Sequence, residues 1–144
     1  YEMINDSDGP GRTRGGLGLR RDYVFPDSPA TFTVLADRDK AGPHGLDGGE
    51  PGERASYVFN PEGENRELNS KSTFELLPGD VVSYRTAGGG GYGSPFERDP
   101  ILVQRDVRDE KVSRERAESE YGVVIGPDGA VDEAGTDRVR HSAE

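Results

Sequence analysis

The first clear periodicity is of two. Leu17, Leu19, Tyr23 and Phe25 fall on one side of an extended chain, which predicts a half-buried strand. Pro26-Asp27-Ser28-Pro29 interrupts it and Thr31 to Ala36 resumes as a second strand, so the two are expected to form a hairpin. A third strand is predicted over Ala55 to Phe59, a fourth over Ser72 to Leu76 and a fifth over Val81 to Thr86, the last two joined by the turn chemistry of Pro78-Gly79. Short strands separated by turn residues imply an antiparallel sheet closing into a sandwich or barrel.

After Pro95 the texture becomes helical. Asp99-Pro100 is an N-cap followed by proline at the first helical position, predicting a helix to about Arg108. Ser113 caps a second helix that Tyr121-Gly122 ends, with Glu115 in its first turn. Val123-Val124-Ile125 and Ala130-Val131 flank Gly126-Pro127-Asp128-Gly129 as a hairpin, and Thr136 to His141 reads as a last short helix. The fold expected is therefore α+β: a β-rich module over residues 1–98, with a helical and hairpin segment over 99–144 packed on it in one domain.

Composition narrows the function classes. The 144 residues are 31% hydrophobic, and 18 Lys and Arg stand against 28 Asp and Glu for a net charge of −10. Such an acidic surface disfavours nonspecific nucleic-acid binding and fits either a protein kept soluble in high salt or an ordinary acidic cytoplasmic one. Without cysteine there is no disulfide, thiolate metal site or Cys nucleophile. No apolar run approaches membrane-spanning length, so no membrane association is expected.

The unusual chemistry lies in two glycine-rich stretches. The predicted strand Val81 to Thr86 delivers the chain into Gly88-Gly89-Gly90-Gly91-Tyr92, where residues without Cβ expose amides and let another surface approach closely. Such amides can cradle a phosphate or another oxyanion. Neither the Walker sequence nor the spacing of a dinucleotide fingerprint is present, and a linker or tight crossover is the alternative. Arg12 and Arg14 lie one residue apart in the run from Asp6 to Gly16, so on extended backbone their guanidiniums share a side and could clamp an anion. The long loop from Ala41 to Gly52 reads as a binding loop or a disordered one. It carries His44, whose near-neutral pKa is the one argument for a chemical role. No set of metal ligands is evident.

In this order, the runs Gly9-Pro10-Gly11-Arg12-Thr13-Arg14-Gly15-Gly16-Leu17-Gly18, Leu68-Asn69-Ser70-Lys71, Leu77-Pro78-Gly79-Asp80, Thr86 to Pro95 with Arg98-Asp99-Pro100, and Tyr121-Gly122-Val123-Val124-Ile125 resemble the C-terminal region of the hydantoinase B / 5-oxoprolinase family. That family includes the B-type subunits of N-methylhydantoinases and related subunits of acetone and acetophenone carboxylases. The resemblance implies a piece of a longer subunit, inactive alone. It implies an A-type partner that uses ATP and Mg to phosphorylate a cyclic amide such as a hydantoin or 5-oxoproline-like lactam, which the B-type subunit then helps to hydrolyse. Any transition metal is expected in the missing N-terminal part.

A phosphorylated intermediate needs oxyanion donors and cationic clamps. This chain offers Arg12, Arg14, the amides of Gly88, Gly89, Gly90 and Gly91, and Tyr92; no catalytic residue is assigned. Two other roles stay open: an assembly module that packs against the rest of the subunit or the partner without touching substrate, and a carboxylase subunit of the same family. Departures from the family pattern fall at Ser7-Asp8-Gly9, Thr13, His44 and Asp47, and a carboxylate at Asp8 or Asp47 would oppose an anionic ligand.

Overall fold

A computed structural model describes residues 1–142. Seven strands and three helices follow one another as β1 (Glu2–Met3), β2 (Leu19–Val24), β3 (Ala30–Leu35), β4 (Ser56–Phe59), β5 (Arg66–Glu67), β6 (Lys71–Leu76), β7 (Val81–Arg85), α1 (Pro100–Arg108), α2 (Arg114–Tyr121) and α3 (Glu133–Ser142). Five strands form one antiparallel sheet in the order β1-β2-β7-β4-β5, and β3 pairs with β6 in a second sheet. The architecture is α+β with two antiparallel sheets and no closed barrel.

The two sheets share a core because alternation puts their apolar side chains on facing surfaces. Phe32 and Val34 of β3 and Phe74 and Leu76 of β6 meet Tyr57 and Phe59 of β4 and Val82 and Tyr84 of β7. Phe59 of one sheet stands edge-on to Phe74 of the other at 5.9 Å, while Tyr57 and Tyr84, opposite each other within the larger sheet, pack tilted at 4.9 Å. Here the expected hairpin fails. β2 and β3 do not pair: β2 lies on β7 with Arg20 opposite Arg85 and Val24 opposite Val81, while β3 lies on β6. Pro26, which has no N–H to continue a ladder, falls where the chain leaves one sheet for the other. Phe25 and Phe32, on either side of that crossing, still meet edge-to-face at 6.2 Å.

Local chemistry sets the turn into β7. Asn60 Nδ2 donates to Asp80 Oδ1 at 2.9 Å, Leu77 N donates to Asp80 Oδ2 at 2.7 Å, and Val81 N donates to Asn60 Oδ1 at 2.7 Å. The Asn60 amide, then the Leu77 amide, hold the Asp80 carboxyl below its ordinary value of 3.8. A carboxylate depressed in the folded state stabilises above its unfolded pKa and loses that contribution as pH falls through the folded value. Acid unfolding of Asp80→Asn is therefore expected to be less steep below about pH 4 than that of the parent chain, as followed by far-UV circular dichroism.

The helices form as their caps dictate. Asp99 Oδ1 accepts from Ile101 N at 2.9 Å, and Ser113 Oγ accepts from Arg116 N at 3.1 Å. Gly122 closes α2 in the left-handed region at φ 62°. Val103, Val112, Ala117, Tyr121 and Val123 make a second, smaller core under α1 and α2. The predicted hairpin reduces to a single antiparallel bridge between Ile125 and Val131. Among the described residues no helix is long and apolar enough to cross a membrane.

Candidate functional site

The two glycine-rich stretches and the loop after Ala41 come together in one layer. Residues 7–16, 42–53 and 88–93 run beside one another, and each bonds to the other two through main chain. Gly9 N donates to Gly89 O at 2.7 Å and Gly89 N to Gly16 O at 2.8 Å. Gly88 N donates to Glu53 O at 3.1 Å, Gly91 N to Glu50 O at 2.9 Å, and Glu50 N to Pro10 O at 2.7 Å. Thr13 and Tyr92 exchange two bonds of 2.9 Å as an antiparallel bridge, while Leu46 pairs with Tyr92 in parallel. The loop over 41–52 is thus ordered by backbone, and a type of turn that tolerates positive φ at Asp47 (54°) and Gly48 (86°) reverses it.

Glycine is required here because the strands of the layer lie too close for side chains between them. A Cβ on Gly88 would overlap the Ser7 carbonyl oxygen, one on Gly90 the His44 oxygen, and one on Gly91 the Pro10 oxygen. A Cβ on Gly52 would stand 2.5 Å from Gly88 O. Hydrogen bonds in the layer offset the entropy of ordering residues that otherwise roam widely. The amides of Gly88, Gly89 and Gly91 all donate within the chain. Gly90 N–H alone of the four has no acceptor among the described residues.

The arginines separate. Arg12 emerges at the rim, its side chain 52% exposed, with its guanidinium 5.8 Å from the centre of the Tyr92 ring and 3.4 Å from Glu97 Oε2. Gly93, at φ 73°, lies beneath it, where a Cβ would come 3.1 Å from that of Arg12. Tyr92 and Leu46 stand out beside it, 46% and 63% exposed. Arg14 turns inward instead, with Nε 3.1 Å from Asp106 Oδ2. Arg98 meets the same oxygen at 2.8 Å and also donates to Arg12 O at 3.0 Å. One carboxylate of α1 thereby holds two guanidiniums and, through Arg98, fixes the backbone from which Arg12 projects.

A second buried carboxylate joins the layer to α2. Asp8 is fully buried, accepts from Tyr121 Oη at 3.0 Å and lies 3.5 Å from Arg116 Nη1, which also donates to the Asp6 carbonyl. Burial, and then the charge of Asp8, push the Tyr121 hydroxyl up, so it remains a donor throughout the physiological range. Asp8 therefore faces a cation inside the fold and not the rim, while Asp47 sits exposed at its turn. His44 is exposed and contributes its carbonyl to the layer. Sequence reasoning missed both ionic clusters. For Asp106 a signal existed: Val103 and Val107 mark the inward stripe of α1, and Asp106 interrupts it.

Among the described residues no group of three or more His, Asp or Glu is placed to hold a metal ion. The donors do not fit a nucleotide either, since three of the four glycine amides that would meet phosphate are already engaged.

Residues 1–95, which contain the entire layer, match the model of the hydantoinase B/oxoprolinase family. The chain belongs to that family. The B-type subunit assigned to a D-/L-hydantoinase of a Pseudomonas species is 34% identical over 143 residues, 97% of this chain and 24% of that protein. An uncharacterized protein of Methanocaldococcus jannaschii is 42% identical over 125 residues, 87% of this chain and 22% of its own length. The chain thus spans about a quarter of the length of these two relatives, and 8% or less of the 5-oxoprolinases it also matches. Among solved structures the ATP-dependent caprolactamase of Pseudomonas jessenii superposes with a TM-score of 0.80 at 29% identity, over 98% of this chain and 25% of that one. Acetone carboxylase in its nucleotide-free form shares the fold, with a TM-score of 0.78 at 23% identity over 99% of this chain and 24% of that one.

Proposed function

We propose that this hydantoinase B/oxoprolinase chain is the C-terminal part of a B-type subunit in a cytoplasmic, ATP-dependent cyclic amide hydrolase. Its substrate would be a hydantoin or a 5-oxoproline-like lactam. An A-type partner would bind ATP and Mg and phosphorylate the amide oxygen, which creates a leaving group at a carbon that otherwise resists water. Hydrolysis is favoured over carboxylation because the hydantoinase relative is 34% identical whereas the likeness to acetone carboxylase, at 23%, speaks for fold alone.

The observation that carries the reading is the rim: Arg12 beside the Tyr92 ring, both open to solvent, on a main chain fixed from below by Arg98 and Asp106. A guanidinium so placed can meet an oxyanion bidentately, with the ring as an apolar wall. Gly88, Gly89, Gly91 and Arg14 support that edge from within. In the assembled enzyme, Arg12→Ala is expected to raise KM for the lactam roughly tenfold while leaving the thermal midpoint unchanged, because the ion pair with Glu97 is exposed. Unchanged KM and turnover would overturn this role.

A second reading is favoured by a different observation, that three of the four glycine amides are consumed within the chain and Leu46 and Tyr92 leave an apolar edge. In it the module serves assembly, and the edge docks on the rest of the subunit. Under that reading Leu46→Asp weakens co-purification of the complex, and Arg12→Ala leaves the kinetics alone.

A further inference from the structure

Away from the rim, a cleft of about 440 Å³ opens between α1, the start of α2 and the turn over 126–130. Its wall is cationic. Arg105 and Arg108 project from α1 and Arg114 from α2, against one lining carboxylate, Asp128, whose Oδ1 already accepts from Ala130 N at 3.1 Å. Arg114 Nη1 donates to Gly126 O at 2.8 Å, which fixes the guanidinium in place. Arg108 is held, among the described residues, only by its sequence neighbour Asp109, at 3.0 Å, with a side chain 73% exposed. Arg105 has no acidic partner among the described residues.

The floor is apolar, formed by Ile101 and Val107, and Gln104 Nε2 closes one end on Gly129 O at 2.8 Å. Ile101 is 56% exposed, an aliphatic side chain facing water beside three guanidiniums in a chain of net charge −10. Excess positive charge at one concave place on an acidic protein calls for a negative ligand, and the guanidinium fork matches carboxylate and phosphate geometry. The volume lies within the ~300–1,000 Å³ of small-molecule sites.

We propose that this cleft binds a small organic oxyanion, a carboxylate or a phosphate monoester, whose apolar body lies on Ile101 and Val107 and whose charged end meets Arg105, Arg108 and Arg114. The site is independent of the rim and of the hydrolase reading, and all of its residues lie beyond the segment that the family model matches.

The test titrates the ¹⁵N-labelled chain with benzoate, with phenyl phosphate and with inorganic phosphate at constant ionic strength, following amide shifts. Saturable shifts at Arg105, Gly126 and Gly129 with benzoate or phenyl phosphate are expected, and which of the two binds tighter names the charged end. Arg105→Gln, an exposed replacement that leaves the fold intact, is expected to weaken binding about tenfold, and Arg105→Gln with Arg108→Gln further still. Arg66→Gln, on the distant β5, is expected to change nothing. Shifts that sodium chloride reproduces, that spread over the whole surface, or that survive the double substitution would overturn the site. Equal affinity for inorganic phosphate and phenyl phosphate would overturn the apolar floor.

Discussion

Gly88→Ala is expected to prevent the β-rich module from folding to its native state. The new methyl group would occupy the place of the Ser7 carbonyl oxygen, which itself accepts from Glu53 N at 2.9 Å, so neither backbone can retreat without breaking the bonds that define the layer. Overpacking of an ordinary core costs about 1–3 kcal/mol because side chains adjust; here the obstacle is main chain on both sides, and about 4 kcal/mol or more is expected. For a module of this size that is a large fraction of total stability. The control is Gly16→Ala, where a Cβ meets nothing within 4 Å and φ is not in the left-handed region. It should be neutral, or stabilising by about 0.4–1 kcal/mol through the unfolded chain. Urea midpoints of the two variants measure the contrast, and Gly91→Ala should behave as Gly88→Ala does.

The second large effect belongs to a charge. Asp106→Ala removes the one carboxylate among the described residues that faces Arg14 and Arg98, both of them largely buried, and leaves two guanidiniums close together without an anion. Breaking a buried pair by deleting one partner costs about 3–5 kcal/mol, since the remaining charge has neither water nor counterion. The same substitution frees Arg98, whose bond to the Arg12 carbonyl holds the rim, so local disorder should appear at Arg12 and Tyr92 before the β core is lost. Asp106→Ala with Arg14→Met should recover part of the loss, because one unpaired cation goes and the aliphatic replacement fills its place. Equal stability of Asp106→Ala and the parent chain, measured by urea unfolding, would show that this cluster does not join α1 to the layer.

Which parts of this were legible in the residues follows from the range of the forces involved. The ends of α1 and α2 were, because Asp99, Ser113 and Gly122 satisfy backbone groups within two to four residues of themselves, whereas α3 begins at Glu133, three residues before its expected start at Thr136. Strand positions were too, since alternation such as Phe32, Val34 and Phe74, Leu76 is a property of each segment. Pairing was not. β2 and β3 are adjacent in sequence, yet their partners are fixed by which sheet face each contributes to the shared aromatic core. The two-residue strands β1 and β5 are too short to show any period.

The candidate site was half legible. Glycines at 88–91 and arginines at 12 and 14 announced close approach and charge, and the structure does bring these runs together. Their separate roles were hidden, because the partners are carbonyls of Ser7, Pro10, Glu50 and Glu53 and the side chain of Asp106, none of which a local pattern can point to. The loop over 41–52 read as open to either binding or disorder for the same reason: what orders it is main-chain bonding, which leaves no mark on side-chain composition.

Amide hydrogen exchange at the four consecutive glycines addresses the layer itself. If residues 88–91 are clamped between 7–16 and 42–53 by main-chain bonds, Gly88, Gly89 and Gly91 should exchange only through global unfolding, as slowly as Val82 in β7, while Gly90 exchanges faster. Exchange of all four at the rate of an open loop would contradict the interlocked backbone on which both the rim and the joining of the helices depend.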